Sequence, residues 1–163
     1  MTGPTGIFLW LPLLAVAAHL FEEFVWPGGF PDWYRRYRPE RAVSVTTRFL
    51  VIVNAVLVGI ALLPPLLGSS PRGLAWWMIV AAIGAANAVF HLWATVTRRE
   101  YSPGVVTGTL LYLPLAVIGA LELVATRAVS LPTTVEAIII GIGYHIWSAW
   151  THSRRAARSS QQY

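Results

Sequence analysis

A histidine and two adjacent glutamates occur in one apolar stretch near the start of the chain, AVAAHLFEEFVWP at residues 15–27. His19, Glu22 and Glu23 are spaced i, i+3 and i+4, so a helix would place all three on one side. Imidazole and carboxylate groups bind zinc and iron, and both can also transfer protons. The stretch therefore predicts a metal-binding or acid–base site on the first helix.

Two more histidines occur in apolar surroundings later in the chain. Asn87 and His91 form an i, i+4 pair in NAVFH, with Gly84 one turn earlier, and His145 shares a helix face with Ser148. The chain has no cysteine, so thiolate ligands are excluded and imidazole with carboxylate remains as the donor set. The predicted metal is iron or zinc. The predicted ligands are His19, Glu22, Glu23, His91 and His145.

The composition indicates which elements must position these residues. Hydrophobic residues make up 56% of the 163 and charged residues 12%, with a mean hydropathy of +0.59. Soluble domains carry about twice that charged fraction. We therefore predict an all-α, polytopic helix bundle in the cell membrane, with a single helical domain over 1–153 and a short basic cytoplasmic tail over 154–163. Because about 20 apolar residues cross a bilayer, the predicted spans lie at about 6–26, 47–67, 74–97, 104–126 and 132–152.

The distribution of arginine predicts the orientation of these five spans. The chain has 12 arginines and no lysine, and ten of the arginines fall after the first span, after the third span and in the tail. The opposite connections hold only Arg72 and Arg127. The positive-inside rule then places the N-terminus outside and the C-terminus in the cytoplasm. The same rule accounts for the net charge of +5 without nucleic acid, so the predicted partners are membrane lipids and a lipophilic small molecule.

With these directions, the polar residues of several spans reach one depth. At 1.5 Å per residue, His19 lies roughly 5 Å and His91 roughly 9 Å from the midpoints of their spans, both toward the cytoplasm. Polar side chains within a membrane usually face a bundle interior or an aqueous cavity and are candidates for function. We therefore predict a buried polar cluster in the inner leaflet. The residues expected to contact the metal or substrate from its surroundings are Asn54, Asn87, Tyr112 and Trp147.

The segment YSPG marks the start of the fourth span. Ser102 is predicted to cap a helix whose first residue is Pro103, because serine caps helices and proline favours their first turn. Pro114 falls inside the same helix and is predicted to kink it. GVVTG at 104–108 is typical of close helix packing through small residues.

Several blocks of the sequence together resemble a known family. HLFEE, NAVFH, YSPGVVTGT and the histidine of the last span resemble the recurrent pattern of the HXXEE membrane proteins, over nearly the whole chain. That group has no established reaction, so the resemblance implies a role for His19, Glu22 and Glu23 without a mechanism. HLFEE also resembles the zinc-protease motif HxxEH, but Glu23 stands where that motif has its second histidine, and no protease mechanism is carried over.

Three functions fit this pattern. The first is an integral-membrane metal-dependent enzyme that acts on a lipophilic substrate from the cytoplasmic leaflet by oxidative or hydrolytic chemistry, with His19, Glu22 and Glu23 as catalytic residues. The second is a metal-independent isomerase or terpene cyclase, in which a glutamate is the general acid and Tyr112 and Trp147 stabilise a cation. The third is a small proton- or metal-coupled transporter.

Each candidate residue also has a purely structural explanation. Glu22 and Glu23 could reach the headgroups and pair with Arg35 or Arg36, although two carboxylates within a membrane are costly. His91, like Asn87 and His145, could serve only to hydrogen bond neighbouring helices.

Overall fold

The computed structural model describes residues 6–159, and the regular elements in that range are helical. In chain order these elements are α1 (Gly6–Phe24), α2 (Phe30–Tyr37), a 3₁₀ helix (Pro39–Ser44), α3 (Thr47–Ala61), α4 (Leu63–Leu67), α5 (Pro71–Arg98), α6 (Val105–Thr107), a π-helical segment (Gly108–Tyr112), α7 (Leu113–Ala125) and α8 (Leu131–Ser159). The predicted all-α fold is confirmed.

Four helical stretches are long and apolar enough to cross a membrane: Gly6–Phe24, Thr47–Leu67, Pro71–Arg98 and Val105–Ala125. They correspond to the first four predicted spans. α8, which contains the fifth, is long enough but is not among them, because Glu136, His145 and other polar residues reduce its apolar character. α8 also continues to Ser159, into the predicted tail, and residues 160–163 of that tail lie outside the described range.

Helix starts follow the chemistry of the capping residue. The hydroxyl of Thr46 accepts the Phe49 N–H at 3.3 Å at the start of α3, and the hydroxyl of Ser70 accepts the Gly73 N–H at 3.1 Å at the start of α5. The predicted cap at Ser102 is wrong, since the helix begins at Val105 after Gly104 and no side chain caps it.

The π-helical segment ends just before Pro114, where the sequence predicts a kink. Proline cannot donate a backbone hydrogen bond, and its ring collides with the carbonyl four residues earlier, here that of Leu110. Widening the helix over Gly108–Tyr112 is a local response to that collision. As a result, Tyr112 leaves the α-helical register and is 2% exposed in the bundle interior.

α5 is the central helix and contacts α1, α3, α4, α6, α7, α8 and the π-helical segment. Small residues allow the closest of these contacts. A Cβ atom on Gly141 of α8 would lie 2.7 Å from the backbone of Ala82, so α5 and α8 pack with their backbones in contact. Trp77, near the N-terminal end of α5, is fully buried. It stacks on Phe8 and donates a hydrogen bond to the Phe8 carbonyl at 2.9 Å.

The connection between α1 and α3 folds back over one end of the bundle. Trp33 and Tyr37 of α2 form a small core with Ala94 of α5. Arg36 forms an ion pair with Glu100 at 3.3 Å. This folded connection was not predicted from the sequence, and it closes the end of the bundle nearest to the polar cluster.

Candidate metal centre

His19, Glu23 and His91 converge between α1 and α5. Oε1 of Glu23 lies 3.5 Å from Nε2 of His19 and 3.2 Å from Nε2 of His91. One ligand atom from each of the three residues lies within 4.8 Å of the others. All three side chains are buried, and the two histidines are 1% and 0% exposed. Such a group has the spacing to hold one metal ion.

Hydrogen bonds at the opposite side of each imidazole orient the two rings. Thr107 Oγ1 donates to Glu22 Oε2 and therefore accepts from Nδ1–H of His19, at 2.9 Å. Nδ1 of His91 lies 2.8 Å from Ser102 Oγ. In both rings Nδ1 is thus engaged, and Nε2 is directed toward Glu23.

Nε2 of His91 is buried, and no residue in the described range 6–159 forms a hydrogen bond with it. Its 3.2 Å contact with Glu23 lacks hydrogen-bond geometry. A buried polar atom that lacks a hydrogen bond carries a desolvation cost of about 1–3 kcal/mol. A metal ion coordinated by this nitrogen would remove that cost, and a hydrogen bond from Nδ1 to a neighbouring residue is the usual arrangement for a metal-binding histidine.

Glu22 faces a different part of the protein from Glu23. Its carboxylate accepts hydrogen bonds from the Tyr101 hydroxyl at 2.7 Å, the Val106 N–H at 3.0 Å and the Thr107 N–H at 2.7 Å, besides that from the Thr107 hydroxyl. Burial, together with the bond to this carboxylate, raises the pKa of the Tyr101 phenol, so Tyr101 is a protonated donor at neutral pH. Glu22 therefore fixes the segment 101–107, which we call the clamp loop.

Gly104 brings the clamp loop against the two histidines. A Cβ atom at this position would lie 2.7 Å from Cε1 of His19 and 3.0 Å from Nε2 of His91. Its φ of 103° also lies in the left-handed region, which side chains other than hydrogen rarely allow. Both facts require glycine here. In the sequence, YSPGVVTGT marks this loop, but its letters do not reveal the contact with His19 and His91.

Two of the residues predicted to surround the site lie directly against His19. Asn87 Nδ2 donates to His19 Nε2 at 3.0 Å. The Tyr112 ring has its centroid 4.7 Å from that of His19. Gly84 makes room for this ring, because a Cβ atom there would lie 2.7 Å from Tyr112.

The other predicted residues lie farther away. Nε2 of His145 contacts the backbone carbonyl of Ile83 at 3.0 Å, and His145 is outside the group of three potential ligands. Asn54 lines the same cavity as His145. Trp147 is 55% exposed and contacts Tyr144, with 6.2 Å between their ring centroids. The shared depth in the membrane that the sequence predicts thus did not determine which of these residues are in contact.

A cavity of about 320 Å³ reaches the centre from the end of the bundle that carries α2. Glu23, Asn87 and Tyr112 form part of its wall, and Arg38 and Arg41 line it as well. Phenylalanine, leucine, isoleucine and valine side chains from α1, α2, α3 and α5 make up much of the rest. In the sequence, these two arginines belong to a connection predicted to set the orientation and to contact anionic lipid, and no pattern indicates that they line a cavity.

Aromatic rings of α2 cover the side of His91 opposite α1. The centroids of Phe30 and Trp33 lie 5.8 Å and 6.2 Å from that of the His91 ring. Because Trp33 is 3% exposed, this cover separates the imidazole from solvent. A low-polarity shell of this kind strengthens the binding of a cation by charged and polar ligands.

Comparison with known proteins gives a family without an assigned activity. The family model "Protein of unknown function with HXXEE motif" matches residues 10–119, which include His19, Glu23, His91 and the clamp loop. The uncharacterized protein YrkK of Bacillus subtilis (strain 168) is 31% identical over 105 residues, covering 61% of this chain and 64%, less than two thirds, of that relative. No solved structure matches the chain. The matched span and the motif it contains establish that this chain belongs to the HXXEE family.

Proposed function

We propose that this chain is an integral-membrane metal-dependent enzyme whose ion is held by Nε2 of His19, Nε2 of His91 and the carboxylate of Glu23. The observation that carries the proposal is the unpartnered, buried Nε2 of His91 beside the Glu23 carboxylate. Two imidazoles and one carboxylate are the donor set of non-haem iron oxygenases and of many catalytic zinc sites. Either ion keeps positions for water or substrate, so the chemistry is oxidative or hydrolytic.

The contacts around the ligands favour a metal over a hydrogen-bonded network alone. A network would need a donor or acceptor aligned with Nε2 of His91, and none is aligned in the part of the chain that the structure describes. An ion at Nε2 of His19 requires the Asn87 amide, now 3.0 Å away, to turn aside. Asn87 lines the cavity and has room to do so, after which its amide can bind a water or substrate near the ion.

We propose that Glu22 is a positioning residue and Glu23 the carboxylate ligand. The carboxylate oxygens of Glu22 accept hydrogen bonds from the clamp loop. Thr107 of this loop in turn accepts a hydrogen bond from Nδ1 of His19, and Gly104 lies over both imidazoles. The adjacent glutamates of the motif thus have separate tasks because neighbouring residues on a helix point about 100° apart.

The substrate proposed for this centre is lipophilic and enters from the cytoplasmic leaflet. The Thr47–Leu67 stretch is only 11% buried within the protein, so its apolar side chains face the lipid. The cavity is lined by α3 residues and is mainly apolar in its side chains. Because α3 faces the lipid and also lines the cavity, we propose that the substrate enters beside this helix.

We further propose that α8 is a fifth span, with the N-terminus outside. Contacts at one end of the bundle join the three arginine-rich segments: Arg36 pairs with Glu100, and Arg155 lies 4.4 Å over the Phe49 ring. Ser44 also lies 2.6 Å from Nδ1 of His152. Because α8 reaches this end after starting at the other, it has to cross the same thickness as α5.

Metal analysis of the purified protein tests the proposal. Inductively coupled plasma mass spectrometry of wild type should give close to one zinc or iron per chain, and His19→Ala and His91→Ala should each lose it. His145→Ala and His152→Ala are matched controls, because both histidines line the cavity but lie outside the ligand group, and these variants should retain the ion. A folded wild type that binds neither ion after both are supplied would refute the metal centre and favour acid–base catalysis by Glu23.

A further inference from the structure

We infer that the cavity binds a single-chain anionic amphiphile, with its carboxylate or phosphate between Arg38 and Arg41 and its apolar body extending past Glu23. As a statement about substrate, this inference rests on the proposed function. The binding site itself stands on the contacts described below and can be tested without any activity.

Positive charge is concentrated at one end of the cavity. Arg38 and Arg41 both line it, and Glu40, the acidic residue near them, reaches their guanidinium groups only at 4.0 Å and 3.9 Å. The Glu40 side chain is 57% exposed, so water screens these two contacts strongly. The Arg155 guanidinium over the Phe49 ring adds a third cation at the same end. Guanidinium groups bind carboxylate and phosphate through paired hydrogen bonds.

The depth of the cavity sets the length of the ligand. His152 and His145 both line it and are seven residues apart on α8, which corresponds to about 10 Å at 1.5 Å per residue. Val16 and Val80, in the middle of the bundle, line its apolar end. A ligand anchored by its anion at Arg41 therefore passes the polar wall of Glu23 with the middle of its chain and ends among aliphatic side chains.

The chemistry of the lining excludes other classes of ligand. A neutral lipid would offer these guanidinium groups no anion to bind, and a cation would be repelled by them. A volume of about 320 Å³ is at the lower end for small-molecule sites and is too small for the two acyl chains of a phospholipid. One chain with one anionic end satisfies both the charge and the volume.

Photoaffinity labelling in phosphatidylcholine nanodiscs tests this inference. The probe is dodecanoic acid with a diazirine at the end of its chain, and the matched probe is the corresponding alcohol. We expect the acid, and not the alcohol, to label cavity residues such as Leu57 and Val80, as mapped by mass spectrometry of peptides. Decanoate should compete with the acid, whereas inorganic phosphate at the same concentration should not.

Substitution of the two arginines supplies the specific control. Arg38→Gln with Arg41→Gln should lower labelling by the acid about tenfold, as expected for the loss of charge-assisted hydrogen bonds. Arg38→Lys with Arg41→Lys should restore part of it, and Arg72→Gln with Arg127→Gln, outside the cavity lining, should leave it unchanged.

Several results would overturn the inference. Equal labelling by acid and alcohol, labelling confined to lipid-facing residues such as Val51 and Val56, or full labelling in the arginine-to-glutamine double variant would each do so. Displacement by inorganic phosphate would show a simple anion site instead. Metal content is measured in the same samples, so failure of the proposed metal centre can be distinguished from failure of the proposed ligand site.

Discussion

Nδ1 of His19 lies 2.9 Å from the hydroxyl of Thr107, 88 residues later in the chain. Since that hydroxyl donates to Glu22, the imidazole must supply the proton between them, and Nε2 is left with its lone pair toward Glu23. Thr107 thereby connects Glu22 with His19, whose other ring nitrogen faces Glu23.

Thr107→Val keeps the shape of this side chain but removes both hydrogen bonds. We expect zinc affinity to fall about 10- to 100-fold, which is typical when a ligand histidine loses the hydrogen bond that orients its ring. Competition with a chelator measures the affinity. Thr97→Val is the matched control, because the Thr97 hydroxyl bonds only to backbone carbonyls of its own helix in the contacts described, and it should bind zinc as wild type does.

Gly104→Ala should destabilise the clamp loop and abolish metal binding. A Cβ atom would collide with both imidazoles, and a residue other than glycine at a φ of 103° is strained by about 1–2 kcal/mol even without a collision. Thermal unfolding in detergent and metal content are the two measurements. Gly143→Ala, where a Cβ atom meets no atom within 4 Å, should unfold at or above the wild-type temperature. Equal behaviour of the two variants would contradict the close approach of Gly104.

Glu22→Gln and Glu23→Gln should separate the roles of the adjacent carboxylates. Glu23→Gln should lose the ion, because an amide is a poor replacement for a carboxylate ligand. Glu22→Gln should still bind one ion, but more weakly, since its amide turns an N–H group toward the donors of Thr107 or Tyr101 and leaves one of them unpaired.

Hydrogen exchange adds a readout that metal content alone does not provide for this pair. The amides of Val106 and Thr107 donate to Glu22, so they should exchange faster in Glu22→Gln and at the wild-type rate in Glu23→Gln. If Glu22→Gln lost the ion while Glu23→Gln retained it, the assignment of ligand and positioning residue would be reversed.

Cysteine accessibility should show that α8 crosses the membrane. The chain has no native cysteine, so each variant carries a single cysteine whose labelling can be measured. The two positions are Ser130→Cys, before α8, and Ser153→Cys, near its end. In intact cells a membrane-impermeant maleimide should label Ser130→Cys but reach Ser153→Cys only after permeabilisation. Ser69→Cys, in the connection before α5, should behave like Ser130→Cys. Labelling of both α8 positions from the same side would exclude the fifth span.

Local patterns predicted the helices and much of the centre. Apolar runs, and the turn residues between them, predicted four stretches that are long apolar helices in the structure. The i, i+4 spacing of His19 and Glu23 predicted that these two side chains share one helix face, where the structure also places His91. These features depend on helix periodicity, which is a property of neighbouring residues.

Contacts between distant segments were beyond such patterns. Glu22 was grouped with His19 and Glu23 because their i, i+3 and i+4 spacing puts them on one side of a helix, yet the clamp loop that Glu22 binds lies some 80 residues later in the chain. Tryptophan is enriched at membrane interfaces, yet Trp33 and Trp77 are buried, at 3% and 0% exposure. Periodicity gives the side of a helix on which a residue lies, but the neighbour on that side is set by tertiary packing.

The centre and its cavity are completed at different points along the chain. The three proposed ligands and the hydrogen-bond partners described for them lie between His19 and Thr107, whereas Tyr144, His145 and His152 of α8 close the cavity. If the helices enter the bilayer in the order of their synthesis, the ion site is assembled while the cavity still lacks one side. The gap that the last helix fills would then leave the His19, Glu23 and His91 group open on one side until α8 is in place.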